Sequence, residues 1–163
     1  MAFKFSDGQS EITGDFSKLE KLIEELDANH SVDVGVFSDA KTADGMQVAE
    51  YGAFNEFGSI VVKDRPPKRS FIRMPIEQKQ DKIEIYVAGK ARGHLEAGDV
   101  KAIFQDIGIA AESVIQEAFD TKGFGSWAPD ADSTVASKGS STPMIDDGTL
   151  RKSITHRVNG GKE

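Results

Sequence analysis

Residues 100–119, VKAIFQDIGIAAESVIQEAF, decide the fold of this chain. Apolar residues recur there at helical spacing, and Asp99 is placed to cap the helix at its start. At about 1.5 Å per residue the predicted helix is roughly 30 Å long, the width of a small domain. Its apolar stripe is wide, so we expect a central core helix with surplus apolar surface for a second contact. The stripe comprises Ile103, Phe104, Ile107, Ala110, Ala111, Val114, Ile115, Ala118 and Phe119.

Shorter helices and strands precede the long helix. FSKLEKLIEELDANH (16–30) has the apolar spacing of an amphipathic helix. SVDVGVFSD (31–39) alternates valine with polar residues, as in a half-buried strand. MQVAEYGAFNEF (46–57) predicts a helix that ends at Gly58 and carries a stripe of small residues. Small side chains allow a neighbouring backbone to come close.

The remaining segments complete a mixed set of helices and strands. SIVVK (59–63) predicts a short strand, a further helix begins at about Pro75, and residues 89–98 predict a turn. SITHRV (153–158) alternates again and predicts a last strand. This order indicates an α+β fold, in which a small antiparallel or mixed sheet is packed by helices. No linker divides the chain, so residues 1–163 are expected to form a single domain.

The segment from Gly123 to Ser153 contains few aliphatic residues and many Gly, Ser, Thr, Asp and Pro residues. A connection longer than about 12 to 15 residues without structure of its own is uncommon in a compact domain. Trp127 is the one tryptophan of the chain, and tryptophan is favoured as an interface anchor. We interpret residues 123–153 as an extended arm that becomes ordered on a neighbouring subunit or partner.

Composition and charge restrict the class of protein. A chain of 163 residues can bury roughly 70% of its unfolded surface, which is enough for one core. It contains no cysteine, which excludes disulfides and thiolate metal sites and suits a reducing cytoplasm. The first residues, MAFKFSDGQS, resemble neither a signal peptide nor a membrane span, so we expect no export and no membrane partner. The net charge of −7 opposes non-specific binding to nucleic acid.

The sequence has no cluster of residues that predicts chemistry. His30, His94 and His156 lie in separate segments without an HExxH spacing, and each is expected to be an ordinary surface residue. The serines and threonines of the arm have no GxSxG motif and no local histidine. A calcium loop that would begin at Asp130 fails at Val135, where glycine is required, and no phosphate-binding GxxxxGK motif occurs. We therefore expect no catalytic residue, no cofactor and no metal.

Basic residues concentrate between Lys63 and Arg73, KDRPPKRSFIR. The simplest interpretation is a solvated connection that two prolines stiffen. A second interpretation is a contact surface, since arginine binds carboxylates in a bidentate fashion and phenylalanine supplies an apolar anchor. On an acidic protein such a surface favours docking between copies, and a small nucleic-acid-binding or regulatory module is the remaining alternative. The residues of this surface are Arg65, Lys68, Arg69, Phe71 and Arg73.

Three segments carry recognisable motifs in a fixed order. The first, from Val48 to Gly58, is a short helix that ends in Glu-Phe-Gly. The second, from Arg65 to Arg73, is similar to a Pro-x-Arg-Pro-Phe-x-Arg motif, with Ser70 in place of the usual proline. The third, from Gly123 to Ile154, is the most specific and contains Trp-Ala-Pro, Lys-Gly, Pro-Met-Ile-Asp and Gly-Thr-Leu-Arg. Together they resemble the neck and tail-completion proteins of long-tailed bacteriophages, a family of virion-morphogenesis and head-to-tail joining components.

The resemblance implies a structural role without catalysis, in which copies form a ring at the end of the tail or between tail and head. The implied partners are other copies, neighbouring tail-tube, terminator or connector proteins, and viral DNA that passes through without specific recognition. The implied location is the virion, after assembly in the host cytoplasm. A ring requires one patch to bind a different patch on the next copy. The residues expected at these contacts are Glu56, Phe57, Arg65, Lys68, Arg69, Phe71, Arg73, Trp127, Pro129, Lys138, Met144 and Leu150.

Overall fold

The protein combines helices with two separate two-stranded antiparallel sheets, and the predicted α+β class is confirmed. The structure is a computed structural model, and it describes residues 5–6, 11–12, 17–42, 45–58, 67–139, 141–145 and 148–160. In chain order the elements are β1 (Phe5–Ser6), β2 (Glu11–Ile12), α1 (Ser17–Asp27), β3 (Ser31–Val36), α2 (Val48–Phe57), α3 (Arg73–Gln78), α4 (Gln80–Ala97), α5 (Val100–Asp120), α6 (Asp132–Lys138), α7 (Thr149–Lys152) and β4 (Ile154–Asn159).

The long helix α5 is the centre of the core, as predicted. Asp99 caps it, because the Asp99 side chain accepts a hydrogen bond from the backbone N–H of Ala102 at 3.0 Å. Helices α3 and α4 and strands β3 and β4 all pack on α5. Val114, Ile115 and Phe119 are consequently 1% exposed or less. The wide apolar stripe is therefore covered largely within its own subunit.

Strands β3 and β4 form the sheet that packs on α5. They pair antiparallel, from Ser31 opposite Asn159 to Val36 opposite Ile154, and both strands agree with the alternation in the sequence. On the inner face, His156 lies so close to Gly108 of α5 that a Cβ atom at residue 108 would overlap the imidazole ring. Glycine at this position allows the strand to approach the helix closely.

Helix α4 is longer than the sequence predicts. The prediction of a turn at residues 89–98 is wrong, because α4 continues to Ala97 and ends at Gly98 in a left-handed conformation (φ 74°, ψ 23°). Gly89 and Gly93 lie inside the helix, where each glycine costs about 1 kcal/mol relative to alanine. The packing of α4 along α5 outweighs this local preference.

Two further segments differ from their predicted boundaries or fall outside the description. The helix expected from Pro75 begins two residues earlier at Arg73, and Lys79 separates α3 from α4. The strand predicted at residues 59–63 lies outside the described residues. None of the helices in the described part of the chain combines the length and the apolar character that a bilayer crossing needs.

The segment after α5 folds back onto its own subunit. It contains two short helices, α6 and α7, and its tryptophan, Trp127, is only 8% exposed. The prediction that residues 123–153 form an extended arm is therefore wrong for the described part of that range. The polar residues that suggested an arm instead form turns and bond to the same chain. For example, the backbone N–H of Trp127 donates to the backbone carbonyl of Lys122 at 3.1 Å.

Candidate functional site

The carboxylate of Glu56 joins the end of α2 to the start of α3. Glu56 is 5% exposed. Its Oε2 accepts hydrogen bonds from the backbone N–H groups of Phe71 and Ile72 at 2.7 and 2.9 Å. Its Oε1 accepts one from the N–H of Arg73 at 3.2 Å. These N–H groups have no partner within a helix that begins at Arg73, so the carboxylate satisfies them and complements the positive end of the helix.

Ser70 adds a second cap to the same turn. Its Oγ donates to Glu56 Oε1 at 2.7 Å and accepts from the N–H of Met74 at 3.0 Å. Proline at this position would have no hydroxyl group and could make neither bond. The serine therefore restrains the chain before Phe71 by hydrogen bonding, where proline would restrain it through its ring.

Arg69 joins the second motif segment to the third. The residue is 3% exposed, and its guanidinium donates to the carbonyls of Ala128 and Pro129 at 2.8 and 2.9 Å. It also lies 3.0 Å from Oδ1 of Asp130, whose Oδ2 lies 2.6 Å from Nζ of Lys138. The guanidinium group is planar and has five N–H donors, so it suits such a set of fixed acceptors. The buried arginine charge is thus paired and hydrogen-bonded within the subunit.

Aromatic side chains complete what we call the three-segment cluster, formed by Glu56, Arg69, Ser70, Trp127 and Asp130 with the rings around them. Trp127 donates from Nε1 to the carbonyl of Ser70 at 3.1 Å. Its ring stands edge-on to Phe119 of α5, with centroids 5.4 Å apart. Phe119 makes a second edge-on contact, with Phe71 at 5.7 Å. All three motif segments therefore meet on the C-terminal half of α5.

Six of the twelve residues that the sequence places at a partner contact are buried in this subunit, so their side chains are not available to a partner. The sequence signal was an aromatic or basic residue among polar neighbours, which is typical of an interface. The same signal arises here because the polar neighbours satisfy one another inside the subunit. The buried residues are Glu56, Arg69, Phe71, Trp127, Met144 and Leu150, and Lys138 is half-buried beside Asp130.

The remaining predicted contact residues are exposed or undescribed. Phe57 is 63% exposed, and the guanidinium of Arg73 lies 5.8 Å from the centroid of its ring. Lys68 and Pro129 are also exposed, whereas Arg65 lies outside the described residues. For the exposed residues, contact with a partner stays a prediction.

A surface groove of about 350 Å³ runs beside α2, and we call it the α2 groove. Small residues form one wall of this groove, and Phe57 and Arg73 lie at its rim. Within the described residues, neither Arg73 nor the nearby Lys68 has an acidic ion-pair partner. The groove thus combines an apolar floor with positive charge that has no acidic partner among the described residues. Its lining residues are Val36, Ala49, Gly52, Ala53, Glu56, Phe57, Phe71, Ile72 and Arg73.

A second, wider groove of about 610 Å³ separates β3 from α4. It is lined by apolar side chains that include Val32, Ile83 and Ile107. Its polar lining is Gln80 and Glu84, so it lacks the basic rim of the α2 groove.

The titratable groups of the core form structural networks between elements. Asp106 of α5 is 6% exposed and bonds to Nζ of Lys90 at 2.9 Å and to Nε2 of His94 at 2.7 Å. Burial opposes ionisation of Asp106, but the bonds from Lys90 and His94 outweigh it and lower the pKa of its carboxyl. Bonds to Tyr86 and then to Asp106 raise the pKa of Lys90. An acidic residue within the apolar repeat of residues 100–119 was the sequence signal for this network.

Two of the three histidines are not the surface residues that the sequence suggested. The side chain of His30 is 2% exposed and stacks on Phe104 at 5.2 Å. His156 is 11% exposed at its side chain and lies 2.7 Å from Glu112. Neither lies beside a nucleophilic side chain in these contacts, and no group of three or more His, Cys, Asp or Glu residues in the described part of the chain is arranged to hold a metal ion.

Comparison with known proteins adds no assignment to these observations. No match to this chain was found among protein-family models, curated proteins or solved structures.

Proposed function

We propose that this chain is a structural virion protein of a long-tailed bacteriophage, which completes the tail or joins the tail to the head. Copies would assemble as a ring around the channel through which DNA passes. Neighbouring tail-tube, terminator or connector proteins would contact the ring, and DNA would pass through it without sequence-specific recognition.

The observation that carries this proposal is the three-segment cluster. Glu56, Arg69 and Trp127 come from the three separate segments that resemble the phage family, and each bonds to a residue of another segment. A chance resemblance of three short motifs would not require that they touch. Their mutual bonding supports the interpretation that the motifs encode one shared structural unit.

The charge distribution is compatible with a DNA channel. The chain carries a net charge of −7, and acidic surface repels phosphate, which prevents DNA from sticking during passage. Arg69, one of the basic residues of segment 63–73, is neutralised by Asp130 inside the subunit. This reduces the charge that the alternative, a nucleic-acid-binding or regulatory module, could use.

Electron microscopy and native mass spectrometry of the purified full chain test the proposal. We expect closed rings with a central hole and a single dominant copy number. The rings should retain little duplex DNA at physiological salt. A monomer that binds DNA, with an affinity that falls steeply as salt rises, would contradict the proposal and favour the nucleic-acid alternative.

A further inference from the structure

Helix α1 exposes a row of large apolar side chains, which we call the α1 stripe. Leu19, Ile23 and Leu26 are 51%, 50% and 56% exposed. Their spacing of four and three residues places them on one face of the helix. A helix of a globular protein normally turns such a face toward a core. Within the described residues, the α1 stripe is therefore an apolar surface that is not covered by the rest of the subunit.

An acidic residue lies at one edge of this stripe. Asp27 is exposed, and its position four residues after Ile23 places it beside the apolar row. In the described part of the chain, Asp27 makes no ion pair with a basic side chain. The stripe is thus an apolar row with negative charge beside it.

The α2 groove has the complementary character. Its wall contains Ala49 and Ala53, whose side chains are small enough to let a second helix approach closely. Its rim carries the exposed ring of Phe57 and the charge of Arg73, with Lys68 nearby. An amphipathic helix with anchors at positions i, i+4 and i+7 is the usual occupant of such a groove. The second groove, beside α4, lacks this charge match because its rim carries Glu84.

The two surfaces of one chain lie at opposite ends of α5. His30, just after α1, stacks on Phe104 near the start of α5. The α2 groove includes Phe71, which contacts Phe119 in the last turn of α5. Fifteen residues of helix separate these two phenylalanines, which corresponds to about 22 Å. The α1 stripe of one chain is therefore placed to meet the groove of another chain.

We propose that α1 of one copy docks in the α2 groove of the next copy, with Leu19, Ile23 and Leu26 in the groove and Asp27 facing Arg73 or Lys68. The two patches differ, so the contact is heterologous and repeats from copy to copy until a ring closes. The contact deepens the proposed function, and rests on it only for the closure of the ring.

Mutation of the stripe tests the contact with a matched control. Ile23→Asp places a charge at the centre of the apolar row and should weaken self-association by about 30-fold or more. Ile85→Asp is the control, because Ile85 is 73% exposed on α4 and lies outside both surfaces. Ala53→Glu should weaken association from the groove side, whereas Ala136→Glu on α6 should not. Analytical ultracentrifugation over a concentration series measures all four variants.

Mixing two defective variants distinguishes a heterologous contact from any other. Ile23→Asp retains an intact groove, and Ala53→Glu retains an intact stripe. We expect each variant alone to be monomeric and the mixture to form a one-to-one dimer that grows no further. A charge reversal gives a second test: Asp27→Arg and Arg73→Glu should each weaken association, and their combination in one chain should restore much of it.

The outcomes separate this contact from the proposed function. Rings that survive Ile23→Asp unchanged overturn the contact but leave the virion role standing. Open chains that depend on both surfaces but never close support the contact and count against the ring. A wild-type chain that stays monomeric at its highest soluble concentration overturns the contact. Loss of stability without loss of association in Ile23→Asp also overturns it, because the stripe would then be covered by its own chain.

Discussion

The three-segment cluster and the rim of the α2 groove are built from neighbouring residues of the same motif segments. The cluster residues are buried, whereas the rim residues are exposed. Glu56 is buried and bonded, whereas Phe57, the next residue, is 63% exposed. Arg69 is 3% exposed and paired with Asp130, whereas Arg73 is exposed and lies over the ring of Phe57. The comparison teaches that one motif can serve two purposes. Some of its residues hold the subunit together, and their neighbours remain available for contact.

The largest effect on stability should come from substitution of a buried residue of the three-segment cluster. Trp127→Ala removes a large buried ring and leaves the carbonyl of Ser70 without its donor, so we expect a loss of about 3–5 kcal/mol in the free energy of unfolding. Phe57→Ala is the control and should change stability by no more than about 0.5 kcal/mol. Urea unfolding followed by circular dichroism measures both. Equal free energies of unfolding for the two variants would contradict the assignment of Trp127 to the interior and Phe57 to the surface.

An intermediate effect should distinguish the two arginines. Arg69→Lys keeps the charge but loses the fork that reaches the carbonyls of Ala128 and Pro129, and we expect a loss of about 1–3 kcal/mol. Arg73→Lys makes the same chemical change at an exposed position and should lie within about 0.5 kcal/mol of wild type. Thermal and urea unfolding of the pair give the difference directly. If Arg73→Lys were the more damaging change, the assignment of interior and surface roles would be reversed.

The smallest effect should appear in the pH dependence of Asp106. This buried acid is held by the side chains of Lys90 and His94, whereas Glu56 is held mainly by backbone N–H groups. The folded pKa of Asp106 is lowered from its ordinary value of 3.8. The ionised carboxylate therefore stabilises the fold above that value, and the contribution is lost as pH falls through the lower folded pKa. Asp106→Asn should be less stable than wild type near neutral pH, and the gap should narrow in acid.

Unfolding measured at neutral pH and again below the ordinary carboxyl value checks this. Asp81→Asn, at an exposed position in the first turn of α4, is the control for the substitution itself and should cost less stability at neutral pH than Asp106→Asn. A constant gap for Asp106→Asn would mean that the lost packing, and not the charge, explains the variant.

The elements of the fold were largely readable from the sequence because their signals are local. The wide apolar repeat of residues 100–119 predicted α5, and the alternating valines predicted β3. The end of α4 was missed because two glycines argued for a turn, and only the tertiary contact with α5 overrides them. Local preference carries no information about which helix lies alongside.

The candidate site was readable in part. The sequence identified the three motif segments but could not tell which of their residues face inward. Arg69 and Arg73 have the same side chain four residues apart, and only the position of Asp130, far along the chain, decides that Arg69 is buried. In the sequence, Asp130 stands out only as the start of a calcium loop that fails at Val135. A pairing between distant residues leaves no periodic signal in a single sequence.

The pairing of β3 with β4 has a consequence for synthesis on the ribosome. Ser31 pairs with Asn159, so the first long strand waits for its partner until almost the whole described chain has been translated. Helices α4 and α5 adjoin each other in sequence and can associate much earlier, because closing a short loop costs little entropy. A nascent chain halted before residue 154 would leave both edges of β3 without β4, which is a state prone to aggregation.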